Sequence, residues 1–188
     1  MLRGKSSSLR GGHSFFEADL LDPARTLQLS DPNENTACDD RAAAPDTDGN
    51  SAPSIDFSRP WKPFGNLPST LDLFGDGTVY IVDAPGHLPG HINLMVRGKG
   101  DEWVYMAGDS CHDRRIMRNE KEIGEWLDGE GHRCCIHADR GKAVETIQRI
   151  RELEGKGVEV IFAHDVEWER DSRNQNRFFG ATNTEGSR

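Results

Sequence analysis

The sequence has few apolar residues and no long hydrophobic run. Only 35% of its 188 residues are hydrophobic, which is low for a fully packed domain of that length. No stretch approaches the roughly 18 apolar residues of a membrane-spanning helix. The N-terminal letters MLRGKSSSLRGGHSFF lack the apolar core of a secretory signal. We therefore expect no membrane association and a cytoplasmic location.

Positive charge is also scarce. The chain carries 23 Lys and Arg against 32 Asp and Glu, a formal net charge of −9. An acidic surface disfavours non-specific binding to the phosphates of nucleic acid or to an anionic membrane. The composition therefore excludes these partners and leaves small molecules or proteins.

Cysteine is rare and unfavourably spaced. Cys38, Cys111, Cys134 and Cys135 form neither a disulfide framework nor a CxxC zinc pair, so we expect reduced thiols. The letters CCIHAD place Cys134 and Cys135 near His137, but a fourth ligand at a plausible spacing is missing. We interpret this segment as structural and Cys111 as a buried thiol.

Composition divides the chain into three parts. Residues 1–53 are rich in Ser, Asp, Asn, Ala, Gly and Pro without apolar periodicity, which predicts a low-complexity, disordered segment. Residues 54–170 carry the periodic apolar runs of a folded domain, and residues 171–188 form a tail.

The folded part alternates strand-like and helix-like runs, which predicts an α/β fold. The expected strands include Val79–Val82, Ile92–Val96, Trp103–Ala107 and Val158–Ala163. The expected helices are Glu120–Leu127 and Lys142–Glu154.

The second of these helices has the clearest pattern. Val144, Ile147, Ile150 and Leu153 recur on one stripe, and Asp139 is placed to cap the start. We expect this stripe to face the sheet.

Three strand ends carry residue types that ligate metals. His87 ends DAPGH, Asp109 lies in GDSCHD with His112 three residues on, and His164 lies in AHD. Zinc favours imidazole nitrogen and carboxylate oxygen. Each residue also has a structural interpretation, since histidine often lies in turns and aspartate often caps them.

These three motifs, in this order, resemble the second half of the metallo-β-lactamase superfamily, and within it fungal homologues of acyl-homoserine-lactone lactonases. The resemblance covers residues from about Pro53 to Glu169. It implies part of an αββα sandwich whose two zinc ions activate a hydroxide for attack on a lactone, ester, thioester or amide carbonyl.

The resemblance assigns a role to each residue. His87 and His164 match metal-binding histidines, and Asp109 matches the carboxylate that bridges the metals and passes a proton to the leaving group. His112 lies where lactonase relatives place a substrate-side hydrogen-bond donor. His91 matches no ligand and is expected to point away from the centre.

The chain departs from the family in one respect. The signature HxHxDH is absent, since no two of the seven histidines are separated by one residue. We therefore expect weak zinc binding and a truncated or impaired hydrolase. The alternatives are a non-catalytic remnant that at most binds a partner, and a small-molecule binding module without metal.

Half of a sandwich leaves one sheet face without its partner layer. We expect Val79, Ile81, Leu94 and Val104 to lie on that face and to favour self-association.

Overall fold

The computed structural model describes residues 22–27, 29–33 and 54–177. Most of the segment predicted to be disordered, and the tail after residue 177, lie outside the described residues. The division into three parts therefore stays a prediction. Within the described part of the first segment, the chain forms a short 3-10 turn at Pro23–Arg25, and Ser30 accepts a hydrogen bond from the indole of Trp61.

Within residues 22–33 and 54–177 as far as they are described, eight short strands build two sheets. They are β1 (Lys62–Phe64), β2 (Leu67–Asp72), β3 (Val79–Asp83), β4 (Ile92–Arg97), β5 (Trp103–Met106), β6 (Glu125–Leu127), β7 (Arg133–Cys135) and β8 (Glu159–Ile161).

Helices connect and flank these strands. They are α1 (Arg114–Met117), α2 (Arg140–Gly155) and α3 (Val166–Arg170), with 3-10 turns at Lys99–Asp101, Gly108–Ser110 and Ser172–Arg177. In the described ranges, none of the helices combines the length and apolar character needed to cross a bilayer.

The main sheet has the strand order β1-β2-β3-β4-β5-β8. Neighbouring strands are antiparallel except β5 and β8, which are parallel and joined through α2. Strands β3, β5 and β8 therefore run in the same direction, and their carboxyl ends lie at one edge of the sheet together with the start of β4. This topology collects the predicted site residues at that edge.

Helix α2 covers one face of the main sheet. Asp139 caps it, as predicted, by accepting a hydrogen bond from the backbone N–H of Lys142 at 3.0 Å. The predicted stripe is wrong at Val144, which is exposed, because the helix turns Ala143 toward the core instead. The core on this face combines the helix residues Ala143, Ile147, Ile150 and Leu153 with the sheet residues Val82, Met95, Tyr105 and Val160.

The opposite face of the sheet is less covered. Ile81 is buried, whereas Val79, Leu94 and Val104 are half-buried. Met106, on the same face, is exposed. The expectation of a fully uncovered apolar face therefore fails at Ile81, and self-association through this face stays a prediction.

The predicted helix at 120–127 is wrong. Its last three residues form β6, which pairs with β7 in a separate two-stranded sheet. Gly124 interrupts the helical pattern, and Asp128 closes the hairpin by accepting hydrogen bonds from the backbone N–H groups of Glu130 and His132.

Candidate metal centre

The turn after β3 places His87 against the start of α2. Gly86 has a φ of 131°, and a Cβ at this position would lie 2.3 Å from the backbone nitrogen of Ala143. Only glycine allows this close approach. The backbone N–H groups of Ala138 and Asp139 donate to the carbonyls of His87 and Gly86, each at 2.9 Å. His87 is buried as a result.

The turn after β5 places Asp109. Gly108 has a φ of 49°, and a Cβ there would lie 3.2 Å from Nε2 of His91. The buried amide of Asn93 holds the turn from the β4 side. Its oxygen accepts from the hydroxyl of Ser110, and its nitrogen donates to the carbonyl of Ala107 at 2.9 Å. The carboxylate of Asp109 therefore projects from a rigid backbone.

The expectation that His91 points away from the centre is wrong. Its Nδ1 lies 3.3 Å from the carbonyl of Ala84, and its Nε2 accepts a hydrogen bond from the backbone N–H of Asp109 at 3.3 Å. The start of β4 lies at the same edge as the ends of β3 and β5, which brings the ring inward. Because both ring nitrogens have partners, His91 supports the turn of Asp109 without offering a lone pair to a metal.

The turn after β8 places His164, and a buried ion pair holds it. Asp165 accepts hydrogen bonds from Nε and Nη2 of Arg114 at 2.9 and 2.6 Å, and caps α3 through the N–H of Trp168 at 3.0 Å. Although burial alone would raise it, Arg114 lowers the pKa of Asp165. His164 itself stays exposed.

The two oxygens of Asp109 face different histidines. Oδ2 lies 3.8 Å from Nε2 of His87. Oδ1 lies 3.7 Å from Nε2 of His112 and 3.2 Å from Nε2 of His164. The structure thus brings the three predicted ligands together and adds the predicted substrate-side residue. Their roles as metal ligands stay a prediction.

The donor set fits a divalent metal ion. Oδ1 of Asp109 is buried and has no hydrogen-bond partner among the described residues, which is costly for a carboxylate oxygen. Within the described ranges, Asp109, His112 and His164 form the one group of three or more such side chains whose ligand atoms all lie within 4.8 Å of one another. Two imidazole nitrogens and one carboxylate oxygen are three ligands of the kind that catalytic zinc uses.

His137, which lies in a segment that we interpreted as structural, also borders the centre. Its ring lies 5.5 Å from that of His87 and 5.6 Å from that of His112, and it is 3% exposed. Burial lowers the pKa of His137 to about 4, and the neighbouring histidines add to this effect. The N-terminus of a helix that crosses over to a parallel strand lies near the carboxyl edge of the sheet. The position of His137, two residues before the cap of α2, could therefore have indicated that it lies near the site.

A small cavity opens beside the centre. It has a volume of about 290 Å³ and is lined in part by His112, His164, Phe162 and Val166. Its size is near the lower end for sites that enclose a small molecule. Apolar and polar groups meet in it next to the ligand atoms of the two histidines.

The chain is similar in sequence to several curated proteins. It is 42% identical over 50 residues to the metallo-hydrolase mfmC of Annulohypoxylon moriforme, covering 26% of this chain and 13% of that protein. It is 29% identical over 115 residues to the N-acyl homoserine lactonase AttM of Azorhizobium caulinodans, covering 58% and 40%. It is also 33% identical over 138 residues to the cytochrome P450 monooxygenase mpaDE' of Penicillium brevicompactum, covering 64% and 16%.

The chain thus spans less than half the length of each of these relatives. No model of a known protein family matches it. A solved structure of an N-acyl homoserine lactone hydrolase with bound N-hexanoyl-L-homoserine aligns with 55% of this chain and 36% of its own, with a TM-score of 0.41 and 20% identity.

Proposed function

We propose that this chain, which over about half of its length is a lactonase-like member of the metallo-β-lactamase superfamily, is a zinc-dependent hydrolase of a small lactone, ester or amide. The observation that carries the proposal is the buried Oδ1 of Asp109, which lacks a hydrogen bond and faces two imidazole nitrogens. A divalent cation satisfies such an oxygen better than a neutral side chain does.

The residues around the centre divide the work. Asp109 and His164 would hold the metal, with His87 and His112 beside them. When bound, the metal lowers the pKa of a water and polarises a carbonyl. Asp109 would also take a proton from the attacking water and pass it to the leaving oxygen or nitrogen. The loop before α2 keeps His137 uncharged at neutral pH, because burial lowers its pKa to about 4.

The cavity beside the centre would bind the substrate. The ring of Phe162 and the side chain of Val166 offer apolar contact to the body of the substrate, while His112 and His164 lie on the side of the reacting carbonyl.

The test is metal-dependent hydrolysis by the full chain. We expect turnover of a panel containing a short aryl ester, a γ-lactone and a short N-acyl homoserine lactone. We expect a chelator to remove it and added zinc to restore it. Asp109→Asn should lower kcat/KM at least about a hundredfold, since it removes both a ligand and the proton carrier.

Asp101→Asn is the matched control. Asp101 is exposed and has a φ of 68°, a conformation that asparagine also tolerates, so this variant should keep wild-type activity. A folded, metal-loaded wild-type chain that hydrolyses none of the panel would favour the alternative of a non-catalytic remnant. The missing HxHxDH signature is what supports that alternative.

A further inference from the structure

The two oxygens of Asp109 are not equivalent in what surrounds them. On the Oδ1 side lie Nε2 of His112 and Nε2 of His164, at 3.7 and 3.2 Å. On the Oδ2 side lies Nε2 of His87, at 3.8 Å. The nearby ring of His91 uses Nε2 to accept a hydrogen bond from the backbone N–H of Asp109. The Oδ1 side therefore has three donor groups, counting the carboxylate, and the Oδ2 side has two.

The spacing on the Oδ1 side matches what one metal ion requires. With metal–ligand bonds of about 2.0–2.2 Å, two ligands of a tetrahedral ion lie roughly 3.3–3.6 Å apart. The separations from Oδ1 of Asp109 to the two imidazole nitrogens are 3.7 and 3.2 Å, so a metal needs only small side-chain movements. The rings of His112 and His164 stack at 5.3 Å with an interplanar angle of 18°, which keeps both on the same side of the carboxylate.

We propose that His112 is itself a metal ligand in this chain, and that Asp109, His112 and His164 together hold one metal ion. This differs from the role implied by family resemblance, in which His112 only donates a hydrogen bond to substrate. Three protein ligands leave a fourth position open, which is the arrangement of a catalytic zinc site. His87 then supports the centre from the Oδ2 side and is not required for binding.

This inference deepens the proposed function, because it names the ligands at the same site. It does not depend on turnover, since metal binding can be measured without substrate. If hydrolysis fails while metal is held through His112, the proposed function is wrong and this inference stands. If hydrolysis occurs but metal affinity does not depend on His112, the proposed function stands and this inference is wrong.

The first experiment titrates the chelator-treated full chain with Co²⁺. We expect one Co²⁺ per chain, with visible absorption typical of four-coordinate cobalt, and displacement by Zn²⁺. Two bound ions per chain, or none, would overturn the single-metal site.

The second experiment replaces the proposed ligand. We expect His112→Gln to weaken Co²⁺ binding at least about tenfold, since even loss of a group that only orients a ligand costs tenfold or more. His132→Gln is the control, because His132 is an exposed histidine on the hairpin between β6 and β7 and should bind Co²⁺ as the wild type does. Equal affinity of His112→Gln and wild type would overturn the proposal.

A third variant guards against misfolding as the cause. Cysteine is also a metal ligand, so His112→Cys should restore binding and add a near-ultraviolet band from sulfur-to-cobalt charge transfer. The wild type, which retains all four native cysteines, provides the baseline spectrum. Binding of Co²⁺ by His112→Cys without that additional band would show that position 112 does not contact the metal.

Discussion

Asp109 and Asp165 both follow a strand of the main sheet, yet their surroundings differ. The side chain of Asp165 is 2% exposed and accepts hydrogen bonds from two nitrogens of Arg114 at 2.9 and 2.6 Å. Asp109 has three imidazole nitrogens at 3.2 to 3.8 Å, and its Oδ1 has no hydrogen bond. The guanidinium of Arg114 gives its carboxylate both hydrogen bonds and an opposite charge. The imidazoles around Asp109 leave one carboxylate oxygen without a hydrogen bond, and a bound cation can interact with that oxygen.

We therefore assign a structural role to Asp165 and a functional role to Asp109. Arg114 also donates to Glu154 at 2.7 Å and to the carbonyl of Val160 at 2.6 Å, which ties α1 to α2 and β8. The Asp109 region is instead held by its backbone and by the neighbouring Asn93 and His91. Its carboxylate is thereby positioned without being neutralised.

The largest expected effect comes from breaking the satisfied pair. Arg114→Ala should lower the free energy of unfolding by about 3–5 kcal/mol, because it leaves the carboxylate of Asp165 buried without its cation. Urea denaturation measures the change. The control is Arg115→Ala, which removes an exposed arginine paired with Asp113 and should cost no more than about 1 kcal/mol. Similar losses in both variants would contradict the distinction.

Lowering the pH should reduce the free energy of unfolding through His137 before it affects the pair of Arg114 and Asp165. Burial lowers the pKa of His137 to about 4, from about 6.5 in the unfolded chain. The unfolded state therefore binds more protons between these values, so stability is complete above pH 6.5 and falls as pH decreases toward 4. The loss from His137 should reach at most about 3 kcal/mol. Urea midpoints of the metal-free chain across this range measure it.

The control for this pH dependence is His137→Phe, which keeps an aromatic ring and removes the proton site. We expect a flatter profile between pH 6.5 and 4. An unchanged slope would assign the effect to other groups, of which the half-buried His91 and His112 also have pKa values lowered by burial.

Replacing each carboxylate by an amide should affect the stability of the metal-free chain differently. Asp165→Asn should lower the free energy of unfolding by roughly 1–3 kcal/mol, because the guanidinium loses its charged partner. Asp109→Asn should leave stability unchanged or raise it slightly, since it removes an unsatisfied oxygen's charge. Thermal melts in the presence of a chelator compare the two variants. A loss in Asp109→Asn as large as that in Asp165→Asn would contradict our interpretation of Oδ1.

The smallest expected effect concerns the helix that packs against the His87 turn. Asp139→Ala removes the cap of α2 and should cost about 1 kcal/mol. Asp139→Asn keeps a side-chain oxygen in the same place and should cost less than half of that. Both variants retain the backbone hydrogen bond from Asp139 to Gly86. Equal destabilisation of the two variants would therefore contradict a stabilising role of the side-chain oxygen as the cap.

Sequence patterns predicted much of the fold where local signals were strong. Strands β3, β4 and β5 and the capped helix α2 lie where apolar periodicity and the aspartate cap indicated. The prediction failed at 120–127, where a helix-like sequence pairs as strand β6. Cross-strand pairing with β7 outweighs helical propensity there, and pairing of that kind cannot be seen within one segment.

The same limit applies to the site. The order of the motifs with His87, Asp109 and His164 indicated which residues gather at the sheet edge, because strand direction alone brings those ends together. The inward position of His91 and the burial of His137 were missed. Both depend on contacts between segments far apart in the chain, such as the bond between the Asp109 backbone and His91.

What the sequence determined by itself is the set of residue types and the places where strands end, because these follow from local periodicity and turn chemistry. Only the tertiary structure decided which carboxylate is satisfied and which is not. Arg114 and Asp165 are 51 positions apart, and their pairing depends on how α1 lies against β8. In the part of the chain that the structure describes, Asp109 lacks such a partner, since the packing of four strand ends places imidazoles around its carboxylate.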